Sequence, residues 1–542
     1  MPDWFEKTPI GSLVDTAASR FKAKEALCYE SNRWSFSELK EEVDHVARGL
    51  MQLGILPGDK IALWMPNRPE WIHTFFAVAK IGAILVPINT RFRTRDLEYV
   101  VRQSDAKMLI TVDRSGPVDY LEMVRELCPE IEIGDPNELK PETCPELRRI
   151  VVVGDTNHRG AIRWDDVLSS AWAIPSRELE HRQQLVCPDN PALILYTSGT
   201  TGFPKGVVHT HNILRNVSDQ SNRMGMTLRD VILMYLPLFH VFGLYEGPLM
   251  STMTGARMVL TTLFDPVEAL QLIEAEKITV MHGFDTHFHG IVSHPNCLST
   301  DRSSLRTGLL AAGMASSEPV ARRTQEILCT TVTGWGMTEV GVGASMSFLD
   351  SDEGDRCLGS GYPLPGYEFK VEDPESGADL PPGEMGELCV RTYAIMQEYY
   401  KKPVETSQAI DHHGWFHTGD VAVIRDDGSI RFMGRYKELL KVGGENVDPV
   451  EVEVLLMSHP AVAEAQVIGV PDERLSEVAC ACIVAIEGQD ISAASLMDYC
   501  RGKLASFKLP RHVIFMEGYP MTPSGKVQKF KLRELAKGNL GL

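Results

Sequence analysis

The chain has 542 residues, too many for one hydrophobic core of ordinary size, so two or more domains are expected. With 44% hydrophobic and 23% charged residues its composition is that of a soluble globular protein, which excludes extensive disorder. A net charge of −19 without a long basic block excludes a general nucleic-acid-binding surface and leaves room for a local positive pocket.

The start, Met1 to Lys7, carries acid and no following apolar core, so no secretory leader is expected. The longest apolar stretches, such as Ile81 to Ile88, are too short for a transmembrane segment. The final Asn539-Leu540-Gly541-Leu542 is not a peroxisomal signal, so a cytoplasmic location is the expectation. Eleven cysteines, an odd number without a CxxC pair, point to reduced thiols. Cys480 and Cys482 alternate within Val478 to Val484 and read as one face of a buried strand.

In chain order, a serine in Trp34-Ser35-Phe36-Ser37 is placed to cap a helix that runs to Leu53. Lys60 to Met65 reads as a strand, about Pro69 to Ile81 as a helix, and Ala83 to Ile88 and Met108 to Val112 as further strands. This alternation predicts an α/β fold whose large N-terminal domain has mixed and parallel sheets with helices. The last hundred residues suffice for a small α/β domain. There, helices are expected from about Pro449 and Ser492, with strands near Ala463 to Ile468 and Val478 to Ala485.

The apolar run Ala192 to Leu195 leads into Tyr196-Thr197-Ser198-Gly199-Thr200-Thr201-Gly202-Phe203-Pro204-Lys205-Gly206. The hydroxyls of Thr197, Ser198, Thr200 and Thr201 can donate to phosphate oxygens, the glycines let backbone N–H groups turn inward, and Lys205 adds positive charge. The following segment, Val207 to Val217, reads as the start of a helix, whose N-terminus would add its dipole to that anion site. The spacing is not that of a Walker loop. An ordinary polar turn has the same composition.

Further along, His240 lies among apolar residues in Leu236 to Gly243, where a hydrogen-bonded core histidine and a pocket wall both fit. His282, His287 and His289 sit close together but match neither zinc-finger spacing nor HExxH. The small residues of Gly308 to Ala315 let a flat group approach the backbone. In Gly334-Trp335-Gly336-Met337-Thr338-Glu339 the carboxylate suits a hard cation, and it equally suits solvent at a helix cap. Asp420, in Thr418-Gly419-Asp420, offers two acceptor oxygens. The charged run Gly434 to Val447 and the turn lysine of Pro523-Ser524-Gly525-Lys526 are, taken singly, ordinary surface.

Taken in order, these motifs resemble those of the adenylate-forming superfamily, which contains acyl-CoA synthetases, firefly luciferase and the adenylation domains of peptide synthetases. The likeness spans Tyr196 to Lys529, with Gly386-Glu387-Leu388 also in family order and given a structural role. It implies that Thr197, Ser198, Gly199, Thr200, Thr201 and Lys205 hold the phosphates of ATP. By the same resemblance Gly313 and Trp335 meet adenine, Gly336 belongs to the nucleotide-binding set, Thr338 bonds a phosphate oxygen, Glu339 ligates Mg²⁺, Asp420 accepts from both ribose hydroxyls, and Arg435 makes a second ribose or phosphate contact. Phe239, His240 and Met337 would line the carboxylic-acid pocket, Gly443 and Gly444 would approach CoA, and Lys526 would be the catalytic lysine.

The resemblance also divides the chain into residues 1–433, a hinge at 434–437 centred on Lys437, and a mobile small domain at 438–542. This sequence departs from the family pattern at Trp335, where tyrosine is commoner, and at Asp285 and Met314, where proline is. No aspartate stands in the segment around His240 to hold an amino group, which favours an apolar fatty or alicyclic acid. The expected activity is an acid–CoA ligase using ATP, Mg²⁺ and CoA, with a homodimer as the expected assembly. Loading of a carrier protein, an oxygenase reaction, and a non-catalytic nucleotide-binding protein of the same fold share these motifs.

Overall fold

The computed structural model describes residues 5–154, 158–197, 204–311, 317–435, 440–442, 445–472, 475–489, 491–501, 503–504, 507–521 and 527–542. Short-range signals set the first elements. Ser35 opens the helix Phe36–Gln52: its Oγ accepts from the Glu38 N–H at 3.2 Å, and the Glu38 carboxylate accepts from the Ser35 N–H at 2.7 Å. Two donors near the helix start are thereby satisfied. Phe36, Leu39, Val43, Val46 and Leu50 recur at helical spacing and are all buried. Pro69 begins the helix Pro69–Lys80 at a position that needs no N–H donor. That helix is buried almost all round, and the Lys80 ammonium at its end is held by Asp15 at 2.9 Å and Asp44 at 2.5 Å.

The central sheet has seven strands in the order Lys205–Thr210, Pro191–Thr197, Ile84–Pro87, Lys60–Trp64, Ala106–Val112, Arg149–Val153 and Ile162–Arg163. All neighbours run parallel except the first pair. Parallel strands are covered on both faces, and Ile61 to Trp64 and Met108 to Val112 accordingly bury every side chain. A five-stranded sheet follows the order Val280–Met281, Val231–Met234, Arg257–Leu260, Glu25–Tyr29 and Asn32–Ser35, antiparallel only in its last pair. An antiparallel sheet of Tyr367–Glu372, Met385–Thr392, Phe416–Ile424 and Ile430–Arg435 completes the large domain with the hairpin Gly334–Met337 and Gly341–Met346.

A second core begins at Leu440 and makes the smaller domain. Its sheet comprises Glu445–Val447, Leu440–Val442, Ser476–Ala485, Val462–Asp472 and His512–Phe515, with helices Pro449–Met457, Ala493–Cys500 and Lys529–Leu540. Cys480 and Cys482 share one face of the buried strand Ser476–Ala485, as expected, and Val478, Ala479, Ala481 and Ile483 are buried too, so the strand is covered on both faces. All eleven cysteines are free thiols. Among the described residues no helix is long and apolar enough to cross a membrane.

One expected element differs. The stretch after the glycine-rich loop is not helical at first: Lys205–Thr210 is a strand, and the helix Ile213–Arg223 starts beyond it. Val207 and Val208 pair with Leu195 and Ile194 across a hairpin. The open edge of that hairpin is occupied by the backbone of residues 397–400, which bonds Val208 and Gly206. Tertiary pairing thus overrides a short apolar run whose period is ambiguous.

Candidate active site

Of the residues singled out above, Ser198, Gly199, Thr200, Thr201, Gly313, Lys437, Gly443, Gly444 and Lys526 lie outside the described residues. Of the rest, Thr197, Phe239 and His240 fall at or beyond the carboxyl ends of strands, where α/β sheets leave their crevices, while Lys205 opens its strand and Trp335, Asp420 and Arg435 lie on antiparallel strands. Thr197 closes Pro191–Thr197, Pro237 to His240 follow Val231–Met234, and residues 282–284 follow Val280–Met281.

Thr197 faces Lys205 across the hairpin, its hydroxyl donating to the Lys205 carbonyl at 3.5 Å. The Lys205 ammonium lies 3.9 Å from the centre of the Tyr399 ring. Tyr399 reaches this place because Gln397 and Tyr400 donate backbone N–H groups to Val208 and Gly206, at 2.9 and 2.7 Å. Its hydroxyl donates in turn to Oε1 of Glu339 at 2.8 Å, and burial with the adjacent carboxylate holds the phenol protonated. Glu339 itself is buried, and its backbone carbonyl accepts from Met396 at 2.8 Å. A cation, a phenol and a carboxylate from three distant segments therefore form one chain of contacts. His209, whose pKa is lowered to about 4 by burial, bonds through Nε2 to the carbonyl of Thr338 beside it.

A second chain starts four residues before Glu339. The indole N–H of Trp335 donates to Oδ2 of Asp420 at 2.9 Å, and the Arg435 Nε stands 3.0 Å from Oδ1. Asp420 and Arg435 are register partners on adjacent strands. Gly419 takes φ +69°, a conformation that favours glycine, and its N–H donates to Oε1 of Glu387 at 2.9 Å. Trp335 is largely buried and edge-on to Phe369, with ring centres 5.9 Å apart. Gly336 is exposed, and a Cβ there would come within 2.6 Å of the Gly343 N, so the backbone of this hairpin is open only to glycine. A carboxylate has about four lone-pair sites, so Asp420 retains acceptor capacity beyond Trp335 and Arg435.

On the acid side, Phe239 and His240 are half-buried, and Nδ1 of His240 accepts from the Phe242 N–H at 3.2 Å, capping the short helix Val241–Leu244. That bond leaves Nε2 as the protonated ring nitrogen. The helix packs on the strand Gly341–Met346, which brings this segment beside the hairpin of Trp335, Met337 and Glu339. Asn67 fixes the segment from the opposite sheet, donating to the carbonyls of Leu236 at 3.0 Å and Thr261 at 3.2 Å and accepting from Leu238 at 3.0 Å. The three neighbouring histidines diverge. Nδ1 of His282 accepts from Leu309, Nδ1 of His287 from Phe284, and His289 faces Ser293. Among the described residues they join no metal-type cluster.

Tyr399, His209 and Asn67 were not legible as site residues. Each acts through partners 60 to 194 positions away in sequence, and none lies in a glycine-rich or charged motif.

Comparisons with known proteins give the family of the chain. The sequence model described as "AMP-binding enzyme" matches residues 14–400, and "AMP-binding enzyme C-terminal domain" matches residues 451–526. The chain is 39% identical over 529 residues to "Putative acyl-CoA synthetase YngI" of Bacillus subtilis (strain 168), covering 97% of this chain and 96% of that protein. It is 34% identical over 545 residues to the medium-chain acyl-CoA ligase ACSF2, mitochondrial, of Mus musculus, covering 99% and 88%. The solved anthranilate CoA ligase AuaEII, in complex with anthranoyl-AMP, superposes with a TM-score of 0.86 at 27% identity, over 100% of this chain and 99% of that one. The chain belongs to the AMP-binding enzyme family, the adenylate-forming ligases, and within it to the acyl-CoA synthetases.

Proposed function

We propose that the protein joins an apolar carboxylic acid, fatty or alicyclic, to CoA at the expense of ATP. The observation that carries this reading is the pair of contact chains Lys205–Tyr399–Glu339 and Trp335–Asp420–Arg435, anchored on one hairpin. They set a cation and a buried carboxylate beside a second carboxylate and its guanidinium, the groups that a magnesium-bound nucleotide requires.

A carboxylate is a poor electrophile. In the first half-reaction one of its oxygens attacks the α-phosphorus of ATP, and the bond to the bridging oxygen breaks to release pyrophosphate. In the second, the sulfur of CoA attacks the acyl carbon, loses its proton, and AMP leaves. Lys205 and the hydroxyls of the 196–206 loop offset charge on the phosphates, with Lys526 acting at the reacting phosphate. Asp420 accepts from the ribose, with Arg435 beside it. Phe239, His240 and Met337 bound the acid.

Glu339 fits a magnesium ion, being a hard oxygen donor held in place by Tyr399. When bound, the ion supplies charge stabilisation to the phosphates. We assign residues 1–433 to the nucleotide and acid domain, 434–437 to a hinge centred on Lys437, and 438–542 to a lid that exchanges Lys526 for the CoA-facing Gly443 and Gly444.

The reading is supported by the likeness to CoA ligases and tested by pyrophosphate release. With Mg-ATP and a panel of short, medium and long fatty acids, cyclohexane acids and aryl acids, release should depend on one acid class and rise with CoA, with the acyl-CoA detected by mass. Nucleotide binding without acid-dependent release over the panel would overturn it.

A further inference from the structure

The antiparallel sheet that presents Asp420 also gathers a second group of side chains, remote in kind from the nucleotide chemistry. Glu372 ends the strand Tyr367–Glu372, Glu387 and Cys389 lie on Met385–Thr392, and His417 lies on Phe416–Ile424. The register sets Glu372 opposite Glu387 and Cys389 opposite His417. Nδ1 of His417 is 3.5 Å from Sγ of Cys389, 3.5 Å from Oε2 of Glu387 and 3.9 Å from Oε2 of Glu372. With zinc bonds of about 2.3 Å to sulfur and about 2.0 Å to nitrogen or oxygen, ligands on a tetrahedral ion stand roughly 3.3 to 3.6 Å apart. Two of the three separations measured from His417 already have that value, and ligand atoms of Glu372, Cys389 and His417 all lie within 4.8 Å of one another, so side-chain rotation closes the set.

A carboxylate also stands on the far side of the imidazole, where rotation of the ring on metal binding would bring it into hydrogen-bond reach. A metal-bound histidine commonly presents its second ring nitrogen to a carboxylate, which fixes the ring and its tautomer. Nε2 of His417 faces Oδ2 of Asp411 at 3.9 Å. Asp411 is itself fixed, since its Oδ1 accepts from the N–H groups of His413 at 2.8 Å and Trp415 at 2.9 Å. Oε1 of Glu387 is taken by the Gly419 N–H, and Oε2 is the oxygen that faces His417. Cys389 is fully buried and His417 is partly exposed, which provides an approach from one side. The opposing feature is Lys370, whose ammonium contacts Glu372 and, at 3.1 Å, Asp379. Glu372 is therefore the weakest of the four ligands.

We propose that Cys389, His417, Glu387 and Glu372 form a site for a borderline-soft divalent cation, with Zn²⁺ as the type ion. The ion bonds the thiolate sulfur, the imidazole Nδ1 and the carboxylate oxygens, and the Cys389 proton passes to solvent on binding. Bound there, it ties together three strands, the last of which carries Asp420 three residues beyond His417.

The test uses the full-length protein, stripped with a chelator and free of nucleotide, titrated with Co²⁺ alone and then with Zn²⁺. One equivalent of Co²⁺ should produce thiolate-to-metal charge-transfer absorption, and one equivalent of Zn²⁺ should abolish it. The band should vanish in Cys389→Ser. Asp411→Asn, outside the ligand set, should keep the band but weaken binding by about 10- to 100-fold. Should Cys389→Ser not fold, His417→Gln, at a side chain 30% exposed, serves instead and should weaken Co²⁺ binding at least as much. Absence of a thiolate band, a band that survives Cys389→Ser, or equal Co²⁺ affinity in His417→Gln and the parent protein would overturn the proposal and leave only a thiol–imidazole hydrogen bond.

Discussion

The indole N–H of Trp335 donates to the carboxylate of Asp420 at 2.9 Å, joining two residues 85 positions apart. In the proposed reading one meets the adenine and the other the ribose, so the two halves of the nucleoside site are set by a single bond. Trp335→Phe keeps an aromatic face and removes only the donor. Hydrogen bonds to charged groups are worth about 1.5–3 kcal/mol. The KM for ATP should therefore rise roughly tenfold or more, since each tenfold costs about 1.4 kcal/mol, with little change in the KM for the acid. Equal changes in both constants would show that the bond serves the fold rather than the nucleotide.

Tyr399 orients the carboxylate proposed to hold magnesium. Partners of this type typically govern metal affinity by about 10- to 100-fold. Tyr399→Phe retains the ring under Lys205 and should raise the Mg²⁺ concentration for half-maximal pyrophosphate release by that factor. A Mg²⁺ dependence identical to that of the parent enzyme would remove Tyr399 from the site.

Asn67 acts on the acid side. It makes two bonds to the segment that leads to Phe239 and His240 and a third to the carbonyl of Thr261, and it is buried. Asn67→Ala strands buried backbone groups at about 1–3 kcal/mol each. It should lower thermal stability and raise the KM for the acid more than that for ATP. An unaltered acid KM in the folded variant would confine Asn67 to stability.

Buried titratable groups set the pH range of the fold from both sides. Burial lowers His73, His209, His211 and His287 to about 4 and His282 to about 3. The folded state keeps these rings neutral, so their contribution is complete above the ordinary histidine value and is lost as pH falls from about 6.5 toward 4. Glu246 has the opposite sign. It is fully buried, neither oxygen has a hydrogen-bond partner among the described residues, and burial raises its pKa to about 8. Its contribution is complete below about 4.5 and is lost as pH rises toward 8. Glu246→Gln should therefore come close to the parent protein near pH 5 and exceed it in stability at pH 8, by roughly 3–4 kcal/mol. Denaturant unfolding at the two pH values measures this, and a constant difference between them would contradict it.

Much of the fold was legible from local chemistry. The Ser35–Glu38 box, Pro69 at a helix start and the apolar strands Lys60–Trp64 and Ala106–Val112 all stand where propensity and period put them. The hairpin strand Lys205–Thr210 was not legible, because a short run with Val207 and Val208 suits either period until residues 397–400 supply its other edge. For the candidate site, motif resemblance singled out Lys205, Trp335, Glu339, Asp420 and Arg435, which the structure joins into two contact chains. It gave no sign that Tyr399 links the first and third of these, or that Trp335 holds Asp420, because such contacts arise only when distant segments pack.

Acid-dependent exchange of labelled pyrophosphate into ATP, measured without CoA, tests adenylation most directly. The account predicts exchange that requires the acid and Mg²⁺, proceeds without CoA, and falls about 10²- to 10³-fold in Lys526→Ala while thioester formation from supplied acyl-adenylate persists. Exchange that ignores the acid, or product formation as ADP and phosphate in place of AMP and pyrophosphate, would contradict it.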